Sequence, residues 1–178
     1  MPTIITHAAV PLALAAAMGP RRIVLPVALV GAALAAVPDA DVIGFKFGVA
    51  YADAWGHRGA SHSLALAAFT AAFLALFWPR ARTLPAALFL FVAMASHGVL
   101  DMATDGGLGV GLAWPFETGR HFLPARPIRV SPIGAEFFSA RGVETLLSEL
   151  VWVWLPCAVL ALTGLRRPVL ADARATER

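Results

Sequence analysis

The sequence predicts an all-α polytopic membrane bundle of about five short apolar helices, with a long capping loop between helices four and five. Three observations predict it. Of 178 residues, 59% are hydrophobic and 14% charged, which is more apolar surface than a soluble domain of this size buries in one core. The apolar residues fall into five runs bounded by glycine, proline and serine. Most histidines and many of the acids stand at the ends of those runs rather than inside them.

The first run, Ile4 to Met18, reads as a helix that contains Pro11 and is broken by Gly19-Pro20. Arg21 and Arg22 follow it, whereas a secretory leader carries its positive charge in front, so the run is expected to stay in the mature protein. The second run, Ile23 to Val37, is stopped by Pro38. Both are short beside the roughly 20 residues that cross a bilayer core. The third, Ser61 to Trp78, is expected to be N-capped by Ser61 and ended by Pro79, and the fourth, Leu84 to Leu100, carries Pro85 in its first turn. The fifth, Leu146 to Leu165, contains Pro156, a place for a kink. The last three approach spanning length. Residues 102–145 are too long for a turn and are expected to fold as a cap, with Trp114 and Phe116 at the lipid interface. Residues 1–165 then make one membrane-embedded domain and 166–178 a polar, disordered tail.

Charge and cysteine narrow the function. The net charge is +3, but the basic residues are scattered in ones and twos, which argues against a nucleic-acid surface. Cys157 is the single cysteine, so no intrachain disulfide forms and a bound metal must rely on nitrogen and oxygen. With five spans, Arg21, Arg22, Arg80, Arg82, Arg166, Arg167, Arg174 and Arg178 share one side. The positive-inside bias makes that side cytoplasmic and places the N-terminus and the large loop on the periplasmic side.

The same threading brings His7, Asp39, Asp41, His57, His62, His97, Asp101, Asp105 and Glu149 to one membrane face, because hairpins return every second helix end to the same side. His97 and Asp101 are four residues apart on a helix and so share a face, as an i, i+4 ligand pair requires. Pro38 should leave Asp39 and Asp41 on an extended strip, pointing alternately, so that one can bind metal while the other orients a histidine. Gly59 lets the loop fold His57 back toward His62. Taken singly, each group has a plainer reading: His7 as a packing donor, the Asp39-Asp41 pair as a solvated turn, His97 with Asp101 as a satisfied hydrogen-bonded pair, His121 as a solvated loop residue. Their co-location favours function, since ionisable groups cost about 2.5–3.5 kcal/mol each at a bilayer centre. Imidazole with carboxylate suits Zn²⁺ first and Mn²⁺ or Fe²⁺ next, with one or two ions held. The loop residues Arg120, Arg126 and Arg129 are expected at lipid headgroups or paired with Glu117 and Glu136.

Thr6-His7, Val37-Pro38-Asp39-Ala40-Asp41, the block His57-Arg58-Gly59-Ala60-Ser61-His62-Ser63, Ser96-His97 through Leu100-Asp101, and Trp114-Pro115-Phe116 together resemble the YdjM-type bacterial inner-membrane family, described as LexA-binding and as metal-dependent hydrolases. Ser61 stands where threonine is common in that family, and Asp105 where proline is common. The resemblance implies metal-dependent hydrolysis. A looser similarity, to zinc-dependent phospholipases C and P1-type nucleases, implies phosphoester cleavage near a membrane surface. The expectation is therefore a hydrolase whose metal ligands come from His7, Asp39, Asp41, His57, His62, His97 and Asp101. Asp105 or Glu149 would be general base, Arg58 would stabilise developing negative charge, and a lipid headgroup or other phosphorylated group would be substrate. The alternatives are a non-enzymatic metal-binding or partner-binding membrane protein and a small metal or proton transporter.

Overall fold

The computed structural model describes residues 1–132 and 134–165; the tail expected at 166–178 lies outside the described residues. Helix α1 spans Ile4–Met18, α2 Leu25–Leu34, α3 Leu64–Phe77 and α4 Leu84–Met102. The last rod is continuous, from α5 (Ala140–Glu149) through a π-helical turn (Leu150–Trp154) to α6 (Leu155–Leu165). Among the described residues no strand forms, and the loop after α4 holds only the isolated bridges Thr104 to Ile128 and Val110 to His121.

Helices α1 and α4 form the inner pair: α1 packs on α2, α4 and α6, and α4 on α1, α2 and α3. The main apolar core is shared by the first four helices and includes Ala15, Val27, Ala28, Ala71, Phe89 and Leu90, and its many alanines let helices approach closely, as van der Waals packing in lipid requires. Large apolar side chains such as Leu29, Phe69, Phe73, Leu88 and Val159 point outward, which is the arrangement a lipid solvent selects. Three runs are long and apolar enough to cross a membrane, Leu25–Phe47, Leu84–Met102 and Ala140–Gly164, while α1 and α3 are shorter.

Three features differ from the sequence expectation. Helix three falls short of spanning length, with 14 residues, because its N-cap is Ser63, whose hydroxyl accepts the Leu66 N–H at 3.1 Å, and not Ser61. Helix two ends before Pro38, but Asp39 and Asp41 are not on an extended strip beyond it: a 3-10 helix, Val37–Phe47, carries both. Proline fixes a helical φ and needs no donor in a first turn, so Pro38 starts this element; Gly48, at φ 80°, ends it. The fifth helix begins at Ala140 rather than Leu146, since its first turns are amphipathic and leave no uniform apolar run to read. Before Pro156 the rod widens into a π-helical turn: the Leu155 N–H donates to Leu150 O, five residues back, and Pro156 has no N–H to restore the α pattern.

Candidate metal centre

The site is assembled from the first two turns of α1, the 3-10 helix after α2, the turn before α3 and the last two turns of α4. On α4, His97 and Asp101 lie one turn apart and are both fully buried. Between them, Gly98 lets the preceding turn of α3 lie against the helix, since a Cβ there would sit 2.7 Å from the His62 carbonyl oxygen. His62, in the 3-10 turn Ala60–His62, thereby points its Nε2 to within 2.9 Å of His97 Nε2. Asp39 enters from the other side, with Oδ1 3.4 Å from His97 Nε2 and 3.8 Å from His62 Nε2. Asp101 Oδ2 is 3.5 Å from His62 Nε2. Single ligand atoms of Asp39, His62, His97 and Asp101 all lie within 4.8 Å of one another.

The outer nitrogens of these histidines are committed elsewhere. His97 Nδ1 is 2.7 Å from the carbonyl oxygen of Ala35 at the end of α2; a carbonyl only accepts, so Nδ1 carries the proton and Nε2 presents a lone pair to the cluster. His62 Nδ1 is 2.9 Å from Ser61 Oγ and 3.3 Å from Asp41 Oδ2. Asp41 also holds His57 through Nδ1 at 2.6 Å and accepts from Ser61 Oγ and the Arg58 N–H. In a 3-10 helix, residues two apart point about 240° apart, which is why Asp39 faces the cluster and Asp41 faces the histidines around it. Asp41, His57 and His62 make a second group of suitable donors.

His7 stacks on His97 with ring centroids 3.8 Å apart, and its Nε2 lies 3.7 Å from Asp101 Oδ1 and 3.9 Å from Asp39 Oδ2. Arg58 is 1% exposed. Its Nε lies 2.9 Å from Asp101 Oδ2, with the N–H misaligned for a hydrogen bond, and its Nη1 donates to Gly106 O. Arg58 adopts φ 65°, a left-handed conformation costing a non-glycine residue about 1 kcal/mol, and the compensation is a backbone N–H on Asp41 with the guanidinium on Asp101.

Among the described residues, seven buried side-chain polar atoms lack a hydrogen-bond partner, and all seven are here: both ring nitrogens of His7, both oxygens of Asp39, both of Asp101, and Arg58 Nε. Buried polar groups are otherwise satisfied almost without exception. Asp39, Asp41 and Asp101 against Arg58 leave two negative charges uncompensated when the histidines are neutral, the charge of one divalent cation. With no ion bound, the same field draws a proton onto His62: burial pushes its imidazole down, but the carboxylates of Asp101, Asp39 and Asp41 outweigh this and raise its pKa to about 10, and a divalent cation would take that proton's place. The donor chemistry, the orphaned atoms and the charge all fit a divalent metal ion.

Two expected bases lie elsewhere. Asp105 pairs with Arg129 Nη1 at 2.9 Å and accepts the Val130 N–H. Glu149, fully buried, accepts from the Thr3 and Thr6 hydroxyls and the Thr3 N–H. Neither belongs to the donor groups above. Among the described residues the loop arginines do not pair with Glu117 or Glu136: Arg120 donates to the carbonyls of His57, Tyr51 and Asp53 and clamps the loop over the site, Arg126 lies over the Phe122 ring, and Glu117 pairs with His121, whose side chain is about half exposed. Sequence reading missed the Ala35 carbonyl, which no residue type announces, and Gly98, whose place between two ligand candidates is a signal that a close backbone approach leaves.

Fold and cluster together define a helical membrane protein with a buried His/Asp centre able to hold a metal ion. The family described as YdjM inner membrane protein matches residues 1–169, and the chain belongs to that family. The inner membrane protein YbcI of Escherichia coli (strain K12) is 45% identical over 165 residues, 90% of this chain and 95% of that protein. No solved structure matches. The chain is accordingly a bacterial inner-membrane protein.

Proposed function

We propose that this protein is a metal-dependent hydrolase acting at headgroup depth, on the periplasmic face, on a phosphoester or lipid-headgroup substrate. The observation that carries the reading is the convergence of orphaned buried imidazole and carboxylate donors within reach of one another. Asp39, His62, His97 and Asp101 would hold the ion, with His7 as a further donor. A bound divalent ion, zinc before manganese or iron, would supply a water acidified to near-neutral pKa. Asp41 fixes the His62 and His57 rings. With Asp105 and Glu149 engaged elsewhere, proton acceptance falls to the Asp41 and His57 pair. Arg58 balances Asp101 and is the buried cation available to an oxygen that gains charge.

A second reading is favoured by one observation, the near-complete burial of the cluster. Closed sites with a full set of protein ligands are usual for structural metals, whereas catalytic ones keep a position open. In that reading the centre is a non-enzymatic metal site that holds four elements together.

Metal analysis of the detergent-purified protein tests both. We expect about one divalent ion per chain, lost from a His97→Ala, Asp101→Ala double variant; unchanged metal content in that variant removes the proposed ligands. Turnover on phosphoester and phospholipid panels then separates the readings. Retained metal with no hydrolysis, and unfolding on chelation, selects the structural one.

A further inference from the structure

His7 is the one histidine of the centre that nothing orients directly. His97 leans on the Ala35 carbonyl, His62 on Ser61 and Asp41, and His57 on Asp41, but neither ring nitrogen of His7 has a hydrogen-bond partner among the described residues. Its place must come from the placement of α1 itself. The first turn of α1 has no side-chain cap of its own, so its unpaired N–H groups need another acceptor. Glu149 supplies it from α5, 146 residues away in sequence: one oxygen accepts the Thr3 N–H, and the other accepts the Thr3 hydroxyl at 2.7 Å and the Thr6 hydroxyl at 2.6 Å. A carboxylate at a helix N-terminus also meets the positive end of the helix dipole.

The π-helical turn completes the clamp. Trp154 Nε1 donates to Thr6 Oγ1 at 2.7 Å, so the Thr6 hydroxyl relays between the Trp154 N–H and the Glu149 carboxylate. Glu149 and Trp154 are five residues apart, which in an α-helix turns them about 140° away from each other. In the wider turn, with its i to i+5 hydrogen bond, they come onto one face. The deviation in the rod thus aims two side chains at Thr6, the residue before His7.

We propose that Glu149 is a positioning residue for the metal centre, acting through the first turn of α1 to hold the His7 imidazole against His97 and between the carboxylates of Asp39 and Asp101. This rests on the metal reading for its consequence, not for its geometry. Glu149 does not touch the cluster; the clamp sets the height and rotation of α1.

The test uses the full chain in detergent with histidine-selective ¹⁵N labelling, His7 being assigned from His7→Ala. In metal-free protein, Glu149→Gln and the near-isosteric Thr6→Val are expected to shift the His7 ring signals and leave those of His57 in place. Cobalt(II), whose visible absorption reports coordination number, is then titrated. Both variants are expected to weaken its binding about tenfold, the lower end of the range for outer residues of metal sites, and to move the spectrum toward that of His7→Ala. On a His7→Ala background, Glu149→Gln should cost nothing further, because the clamp acts through the removed ring. Unmoved His7 signals in folded Thr6→Val, or effects of Glu149→Gln and His7→Ala that add, overturn the proposal. Wild-type protein that binds no cobalt sinks the metal reading alone, and the metal-free spectra still decide the clamp.

Discussion

A histidine in this centre is assigned its task by the nitrogen that faces away from it. His97 and His62 each spend Nδ1 on an oxygen outside the cluster and so aim Nε2 inward, and the directionality follows from an imidazole having one donor and one acceptor when neutral. The carboxylates divide in the same manner. Asp39 and Asp101 have unpartnered oxygens, whereas those of Asp41 are filled by neighbours. Asp105 belongs to neither kind. Burial pushes its carboxyl up, but the Val130 N–H and the Arg129 guanidinium outweigh this and hold its pKa below the ordinary range. A depressed folded-state pKa contributes stability that is present above the unfolded value, about 4, and is lost as pH falls through the lowered one. Asp105→Asn is therefore expected to lower the melting temperature slightly at neutral pH, slightly because the pair is solvent-exposed, and to match wild type in acid. A deficit that persists in acid would show that the ion pair is not its source.

At the scale of elements, caps and irregular turns position the chemistry more than the long helices do. Ser61 and Ser63 flank His62 and divide two tasks between them: Ser63 caps α3, and Ser61 donates to Asp41. Ser63→Ala should cost about 1 kcal/mol of stability, the usual loss of an N-cap, with metal affinity little changed. Ser61→Ala should leave the melting temperature near wild type and weaken metal binding about tenfold, because it loosens a residue that orients His62. Paired thermal melts and competition titrations check both; the opposite pattern would return the cap to Ser61. The 3-10 helix after α2 and the π turn after α5 are legible only in part. Pro38 and Pro156 mark both places in the sequence, but proline says that the α pattern is interrupted, not whether the chain tightens, widens or unwinds.

For the whole molecule, the bundle gathers its buried charge at one end and leaves apolar side chains facing outward along its length. The loop between α4 and α5 closes that end, held by Arg120 on three carbonyls and by the Gly111 N–H on Arg58 O. Which membrane side this end faces is the proposal drawn from the arginine distribution. Cys157 is half-buried within α6, so a Thr118→Cys variant provides an exposed thiol in the capping loop. A membrane-impermeant maleimide is expected to label it in intact spheroplasts. Labelling that requires lysis would invert the topology while leaving the cluster geometry untouched.

The sequence by itself determined the helical membrane class, since apolar runs of this density have no other solvent, and it named the residues that now stand in the cluster: His7, Asp39, Asp41, His57, His62, His97, Asp101 and Arg58. Their ionisable side chains cost so much in lipid that their presence at helix ends is itself a signal. Only the tertiary structure decided which of them face inward and which support, moved Asp105 and Glu149 away from the centre, and enlisted the Ala35 carbonyl and Gly98. Those assignments depend on rotations and distances between segments far apart in the chain, and residue type and spacing carry no record of either.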